Sequence, residues 1–268
     1  MFRVELLKAA RRWRTWLLAA AIAAIPAVIV FAIRVSPPQP AAAEDAPPFL
    51  FQIATNGLYA ALTGLAVVQP FFLPLAAGLF AGDAIAGEAQ SGTLRYLLLR
   101  PVGRSRLVLS KYGSAMALLG VLVAVTIVSG LVAGAVVFGL GPMPTLSGTS
   151  LPVVQGLLRI VGSGVYMVVA LSGIACIGLL ISTRTDSGPG AAVATIVIAI
   201  ASQILGQIPS LDAIHPYLPT YGWLGFTGLF RFPVDWDQMR GGLLVSAVYS
   251  VACLGLALWG FRRRDITG

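Results

Sequence analysis

The stretch GEAQSGTLRYLLLRPVGRSRLVLSKY, residues 87–112, lies between two long apolar segments and carries five of the chain's eighteen basic residues. Gly87 and Gly92 are expected to permit turns, because glycine adopts backbone conformations that other residues avoid. Ser91 or Thr93 can cap a new helix of about two turns over LRYLLLR. We therefore predict a short helical elbow, within residues 83–111, that joins two membrane spans on one face of the membrane.

The composition of the whole chain is that of a membrane protein. Hydrophobic residues make up 57% of the 268 residues and charged residues only 10%, whereas soluble domains carry about 25% charged residues. Since roughly 18 apolar residues suffice to cross a bilayer, six segments qualify as spans: 15–34, 53–81, 112–139, 156–182, 189–208 and 241–261. We predict a single all-α integral membrane domain over residues 1–268, with no separate soluble catalytic domain.

The positive charge follows the predicted topology. If the six spans alternate, fourteen of the eighteen basic residues lie on one face, and such a face is cytoplasmic by the positive-inside rule. Both termini are then cytoplasmic, in a multi-pass protein of the cytoplasmic (inner) membrane. The net charge of +8 is explained by topology, so we expect no nucleic-acid partner.

Residues 1–14 have the spacing of an amphipathic helix. Phe2, Leu6 and Trp13 fall on one side, and Lys8 and Arg11 fall on the other. Such a helix would lie at the membrane interface, with its basic side near anionic lipid. The alternative is a signal peptide, because the apolar segment leads to AAAEDAPP at 41–48, although that segment exceeds the usual 7–15 residues.

Several polar residues in or near the spans are candidates for a substrate path. Asn56, Thr63 and Gln69 belong to the second span, which Pro70 is expected to kink, and Arg159 belongs to the fourth. An interhelical hydrogen bond explains Gln69 equally well, and Arg159 could instead extend to the headgroups. Residues 209–240 are rich in aromatic residues, which predicts an external re-entrant or interfacial segment with one or two short helices.

Catalytic chemistry has little support in this sequence. His215 is the only histidine and has no evident nucleophile beside it, so no catalytic residue is predicted. The acidic residues show no metal-binding pattern, and no phosphate-binding loop of the G-x-x-x-x-G-K-[ST] type occurs. The centres of the spans hold almost no ionisable residues, which a proton relay would need. If the protein transports a substrate, the energy is expected to come from a partner.

The segment AGEAQSGTLRYLLLRPVGRSRLVLSK resembles the signature of permeases of type-2 ABC exporters. In that pattern GE is followed by GT, a leucine-rich turn, P-x-x-R and a lysine. The matching residues are Gly87, Glu88, Gly92, Thr93, Pro101, Arg104 and Lys111. The six spans, the amphipathic start and the external segment before the last span extend the resemblance over the whole chain.

The apolar side chains Leu94, Leu97 and Leu98 of the elbow suit a groove on a partner protein and, by their chemistry alone, suit the lipid surface nearly as well. The resemblance implies that the elbow is a coupling helix, which docks on a separate ATP-binding-cassette ATPase subunit. It implies two permease chains, identical or paralogous, with ATP and magnesium bound by the ATPases and no cofactor bound by this chain. Glu88 is the residue expected to act in coupling, with Arg104 as a candidate partner; alternatively, Glu88 only caps the local helix. The substrate is expected to be a hydrophobic drug, lipid, antibiotic or small peptide moving outward.

Two other functional classes stay open at this point. A secondary transporter or channel would work without an ATPase, but the lack of ionisable residues in the span centres disfavours it. An intramembrane enzyme acting on lipid or peptide is disfavoured by the lack of a catalytic constellation.

Overall fold

The structure, a computed structural model, describes residues 2–37, 46–92 and 103–263. Six helical segments within these residues are long and apolar enough to cross a membrane. Helix α1 (Phe2–Ala10) precedes span 1, which is α2 (Trp13–Val35). The remaining spans are span 2 (α3, Tyr59–Val68; α4, Phe72–Ala77; α5, Asp83–Gln90), span 3 (α6, Arg104–Phe138), span 4 (α7, Val153–Ala170; α8, Ser172–Ser182), span 5 (α9, Gly188–Leu205) and span 6 (α10, Asp237–Arg263). The prediction of an all-α membrane protein with six spans is confirmed.

Span 2 is the central helical segment of the bundle, and two irregularities interrupt its α-helical geometry. Nine of the ten residues of α3 are buried, and α3 packs between spans 1 and 3. The helix breaks at Gln69–Phe71, where Pro70 lacks the backbone donor that a continuous helix needs. A π-helical turn, Gly78–Gly82, follows α4. The predicted kink is confirmed, but the helix continues to Gln90 rather than ending near residue 81.

Glycine pairs at four-residue spacing let span 2 approach its neighbours closely. A Cβ at Gly130 would lie 2.6 Å from the Cα of Ala61, and one at Gly134 would overlap the carbonyl oxygen of Gly57. On the other side of span 2, a Cβ at Gly82 would lie 2.9 Å from the Cα of Ala192 in span 5. The glycines therefore set the distance between spans 2, 3 and 5.

The segment between spans 5 and 6 folds onto the bundle as two 3₁₀ helices, Pro209–Tyr217 and Trp223–Phe230. The hydroxyl of Tyr166, in span 4, donates to the carbonyl of Gly222. Trp223, Phe226 and Phe230 are fully buried in the subunit. These three side chains therefore fill the space between spans 4 and 6.

A two-stranded hairpin covers the ends of the spans on the face opposite α1, which we call the outer face. Strands β1 (Met143–Pro144) and β2 (Ser150–Leu151) pair antiparallel, and the side chain of Asn56 reaches the turn before β1. The amide of Leu146 donates to the carbonyl of Phe230, which ties the hairpin to the second 3₁₀ helix. These contacts fix the outer rim of the subunit.

Candidate functional site

A cluster of charged side chains joins three elements on the inner face, which we define as the face carrying α1, the end of α5 and the start of span 3. The ammonium of Lys111 lies 2.5 Å from Glu88 Oε1 and 2.8 Å from Glu5 Oε2. The ammonium of Lys8 lies 2.8 Å from the same oxygen of Glu88. Arg12 Nη1 lies 3.3 Å from Asp83 Oδ2. This inner ionic cluster connects α1, the end of span 2 and the start of span 3.

Burial separates the strong interactions of the cluster from the weak ones. The side chains of Glu88 and Lys111 are only 5% and 4% exposed, so their charges are poorly solvated and depend on each other. Lys8 is 45% exposed and Arg12 is 52% exposed, so their ion pairs contribute little to stability. The Glu88–Lys111 pair is therefore the rigid centre of the cluster.

The other end of the predicted elbow is also attached to the subunit. Arg104 Nη1 donates to the carbonyl oxygens of Arg262, at 3.0 Å, and Phe261, at 3.4 Å. A guanidinium at these last carbonyls of span 6 also complements the negative end of the helix dipole. Arg262 Nε donates to Ser105 Oγ at 2.8 Å. The start of span 3 is thus joined to the end of span 6.

The structure refines several predictions about the elbow. Gly87 lies inside α5, tightly packed against Asp83 and Gly188, so it makes no turn. Gly92 has a φ of 68° and ends the helix as predicted. Helix also continues through Arg104 to Lys111, which leaves residues 91–103 as the connection between spans 2 and 3. The other predicted coupling residues lie outside the described residues: Thr93, Leu94, Leu97, Leu98 and Pro101.

Ser182 forms a contact with span 2 that no sequence pattern predicts. Its hydroxyl oxygen accepts hydrogen bonds of 2.9 Å from the backbone amides of both Ile85 and Ala86. These amides follow the π-helical turn, where the regular i→i−4 pattern is interrupted. Ser182 thereby joins the inner end of span 4 to α5, three residues before Glu88.

An outer cavity of about 480 Å³ lies where the break in span 2 meets the end of span 5. Gln69 is buried beside it, with its amide nitrogen 3.4 Å from Gln203 Oε1, and Gln203 donates to the carbonyl of Pro70 at 2.8 Å. Other polar residues in the lining are Gln207, His215, Thr220, Tyr221 and Gln238. The lining is rich in uncharged groups that both donate and accept hydrogen bonds.

The other three predicted path residues have structural partners. The Asn56 amide donates to the carbonyls of Gly141 and Pro142, at 2.7 and 3.1 Å. Thr63 donates to the carbonyl of Pro48, and Arg159 donates to that of Leu229. These contacts hold the outer loops against spans 2 and 4. Of the four residues, Gln69 is the one that lines the outer cavity.

Sequence reasoning missed the partners of Glu88. Glu5 and Lys8 are three residues apart, which places them on one face of α1, and that face packs on the protein through Lys111 and Glu88. Among the basic side chains of residues 1–14, for which a position near lipid is predicted, Lys8 and Arg12 instead bind carboxylates of span 2. Glu5, an acidic residue in an otherwise basic amphipathic helix, was the one sequence feature that could have indicated packing against the protein.

Comparisons with known proteins agree with this architecture. The family model described as "ABC-2 family transporter protein" matches residues 1–206. The "Probable ABC transporter permease protein NosY" of Stutzerimonas stutzeri is 41% identical over 61 residues, which is 23% of this chain and 22% of that protein. The protein of the same name from Pseudomonas aeruginosa matches with the same identity and coverage. The matched stretch thus spans about a fifth of the length of these curated relatives.

Proposed function

This chain belongs to the ABC-2 transporter family and is the membrane subunit of an ABC transporter, and we propose that it is an exporter permease driven by a separate ATPase. The chain itself contributes no ATP hydrolysis, and ATP with magnesium is bound by the partner. Two permease chains, identical or paralogous, form the path. The protein resides in the cytoplasmic membrane with both termini inside, as its basic residues favour.

The observation that carries this proposal is that the residues flanking the connection 91–103, Glu88 before it and Arg104 after it, are both held by other elements. On one side Glu88 is held by Lys111 and Lys8, and on the other side Arg104 is held by the end of span 6. A displacement of this connection by an ATPase would therefore move α1 and spans 2, 3 and 6 together. A short connection can transmit movement from an ATPase to the spans when both of its ends are firmly joined to those spans.

The outer cavity is proposed as part of the substrate path. Amide groups within a membrane subunit are costly unless they meet partners or water, and Gln69, Gln203 and Gln207 line one shared space. The substrate is then a drug, lipid, antibiotic or small peptide, mainly hydrophobic, with a neutral hydrogen-bonding group that fits this lining. Outward movement would deliver it through the cavity to the outer face.

The partner is tested by purifying the tagged chain from its native membrane in mild detergent. We expect an ATPase with a phosphate-binding loop at one copy per permease chain. Replacing Leu97 with aspartate should lower the amount of co-purified ATPase by about tenfold or more, because a charge would be buried in the docking contact. The matched control is Leu146→Asp in the outer hairpin, where the leucine is 46% exposed, and it should retain the ATPase. Recovery of the unaltered chain without an ATPase would contradict the proposal.

The path is tested by cysteine labelling from the outside. Gln203→Cys should react with a membrane-impermeant maleimide at rates that differ by about tenfold between ATP-bound and nucleotide-free complexes, because the cavity opens and closes in the cycle. Asp212→Cys, at a side chain 91% exposed, should react equally in both states. Val251→Cys, which is exposed within span 6 and is expected to face lipid, should not react in either state. Equal labelling of Gln203→Cys in both states would refute the outer cavity as a path.

A further inference from the structure

Three arginines surround the corner between α1 and span 1. Arg11 and Arg12 follow the end of α1, and Arg14 lies in the first turn of span 1; all three side chains are exposed. With part of the inner end of span 2, they line a cavity of about 570 Å³ whose wall includes Asp83, Gly87 and Gln90. The corner therefore presents a concentrated positive charge beside the element that carries Glu88.

The corner has a fixed shape. Thr15 Oγ1 donates to the carbonyl of Ala9 at 2.8 Å, and Trp16 Nε1 donates to the carbonyl of Ala10 at 2.7 Å. Both bonds join the last carbonyls of α1 to the first turn of span 1. The arginines thus project from a defined corner rather than from a free chain end.

The charge of the corner is only partly neutralised. Arg12 pairs with Asp83, but within residues 2–37, 46–92 and 103–263 neither Arg11 nor Arg14 has an ion-pair partner. Arginine binds phosphate oxygens in a bidentate manner, which suits it to a phosphate group. Arg11 and Arg14 therefore bring two such side chains to one cavity.

Position and neighbouring residues indicate where that anion comes from. The corner lies at the first residue of a membrane span, and Trp13 and Trp16 are 68% and 66% exposed there. Exposed tryptophans at a span end are typical of the headgroup region. The nearest phosphate groups in that region are those of phospholipids, and basic residues at a bilayer surface attract the anionic ones.

We propose that Arg11 and Arg14 form a binding site for the headgroup of an anionic phospholipid. The bound phosphate would lie on the arginine side of the cavity, whose opposite wall is α5, and Arg12 offsets the charge of Asp83 in that wall. Lipid at this site would hold α1 in place and so support the inner ionic cluster. The proposal needs only the position of the corner at a membrane surface and does not depend on the direction of transport.

The site is tested by native mass spectrometry of the whole complex, titrated in detergent with phosphatidylglycerol or phosphatidylcholine. We expect tighter binding of phosphatidylglycerol, and the double variant Arg11→Gln, Arg14→Gln should weaken it about 25-fold, roughly fivefold for each arginine. The double variant Arg34→Gln, Arg240→Gln is the matched control, because it removes two exposed arginines from the opposite ends of spans 1 and 6. It should leave phosphatidylglycerol binding at this site unchanged.

Three results of the lipid titration would overturn the proposal. They are unchanged phosphatidylglycerol affinity in the Arg11, Arg14 variant, an equal loss in the control variant, and equal affinity for phosphatidylcholine. Inorganic phosphate is added in a separate arm. If phosphate alone binds as tightly as phosphatidylglycerol, the site is one for free phosphate, and the lipid assignment is wrong.

Discussion

Replacing Glu88 with glutamine is expected to abolish most of the coupling between ATP hydrolysis and movement of the permease. Glutamine keeps the size of the side chain but removes the charge that holds the buried Lys111 and the exposed Lys8. Breaking a buried pair on one side costs about 3–5 kcal/mol. The complex should still hydrolyse ATP, whereas the ATP-dependent change in labelling of Gln203→Cys should fall by about tenfold.

A second variant separates coupling from simple folding. Glu88→Gln combined with Lys111→Met removes both buried charges, and such replacements are often neutral in stability. If thermal stability recovers while the labelling change stays absent, the charge itself acts in coupling. If stability and labelling both recover, Glu88 serves only to fix the local structure. Glu5→Gln provides a control that weakens a peripheral contact of the same lysine.

Replacing Gly134 with alanine should cause a large loss of stability, although it adds only one methyl group. A Cβ there would overlap the backbone oxygen of Gly57, whose amide is itself hydrogen-bonded to Gly139. Because backbone rather than a flexible side chain opposes the new methyl group, span 3 must move away from span 2. The expected cost is about 3 kcal/mol, the upper range for overpacking. It is measured as a lower melting temperature in detergent, by roughly 10 °C.

Gly255 offers the matched control for this substitution. It lies in the helix of span 6, and a Cβ there would meet no atom within 4 Å. Gly255→Ala should therefore be neutral or stabilise by up to about 1 kcal/mol, since alanine favours the helix. Equal melting temperatures for the two variants would show that the Gly57–Gly134 contact is not a constraint.

The sequence contained enough information for the membrane architecture, because bilayer thickness and backbone hydrogen bonding restrict a span to a long apolar helix. Six spans, the break near Pro70 and the turn at Gly92 follow from local rules of this kind. The motif around Gly87 and Glu88 was also sufficient to indicate the family. Each of these features depends on residues that are close together in the chain.

The composition of the sites depends on residues that are far apart in the chain. Glu88 meets a partner 80 residues earlier and another 23 residues later. Gln69 lies beside Gln203, which is 134 residues later, and Ser182 meets amides of α5 nearly a hundred residues before it. Interhelical polar contacts have no local periodicity, since they depend on which faces of two helices meet. The sequence by itself therefore determined the spans, their order and the family, whereas only the tertiary structure decided which charges pair at the inner face and which amides share the outer cavity.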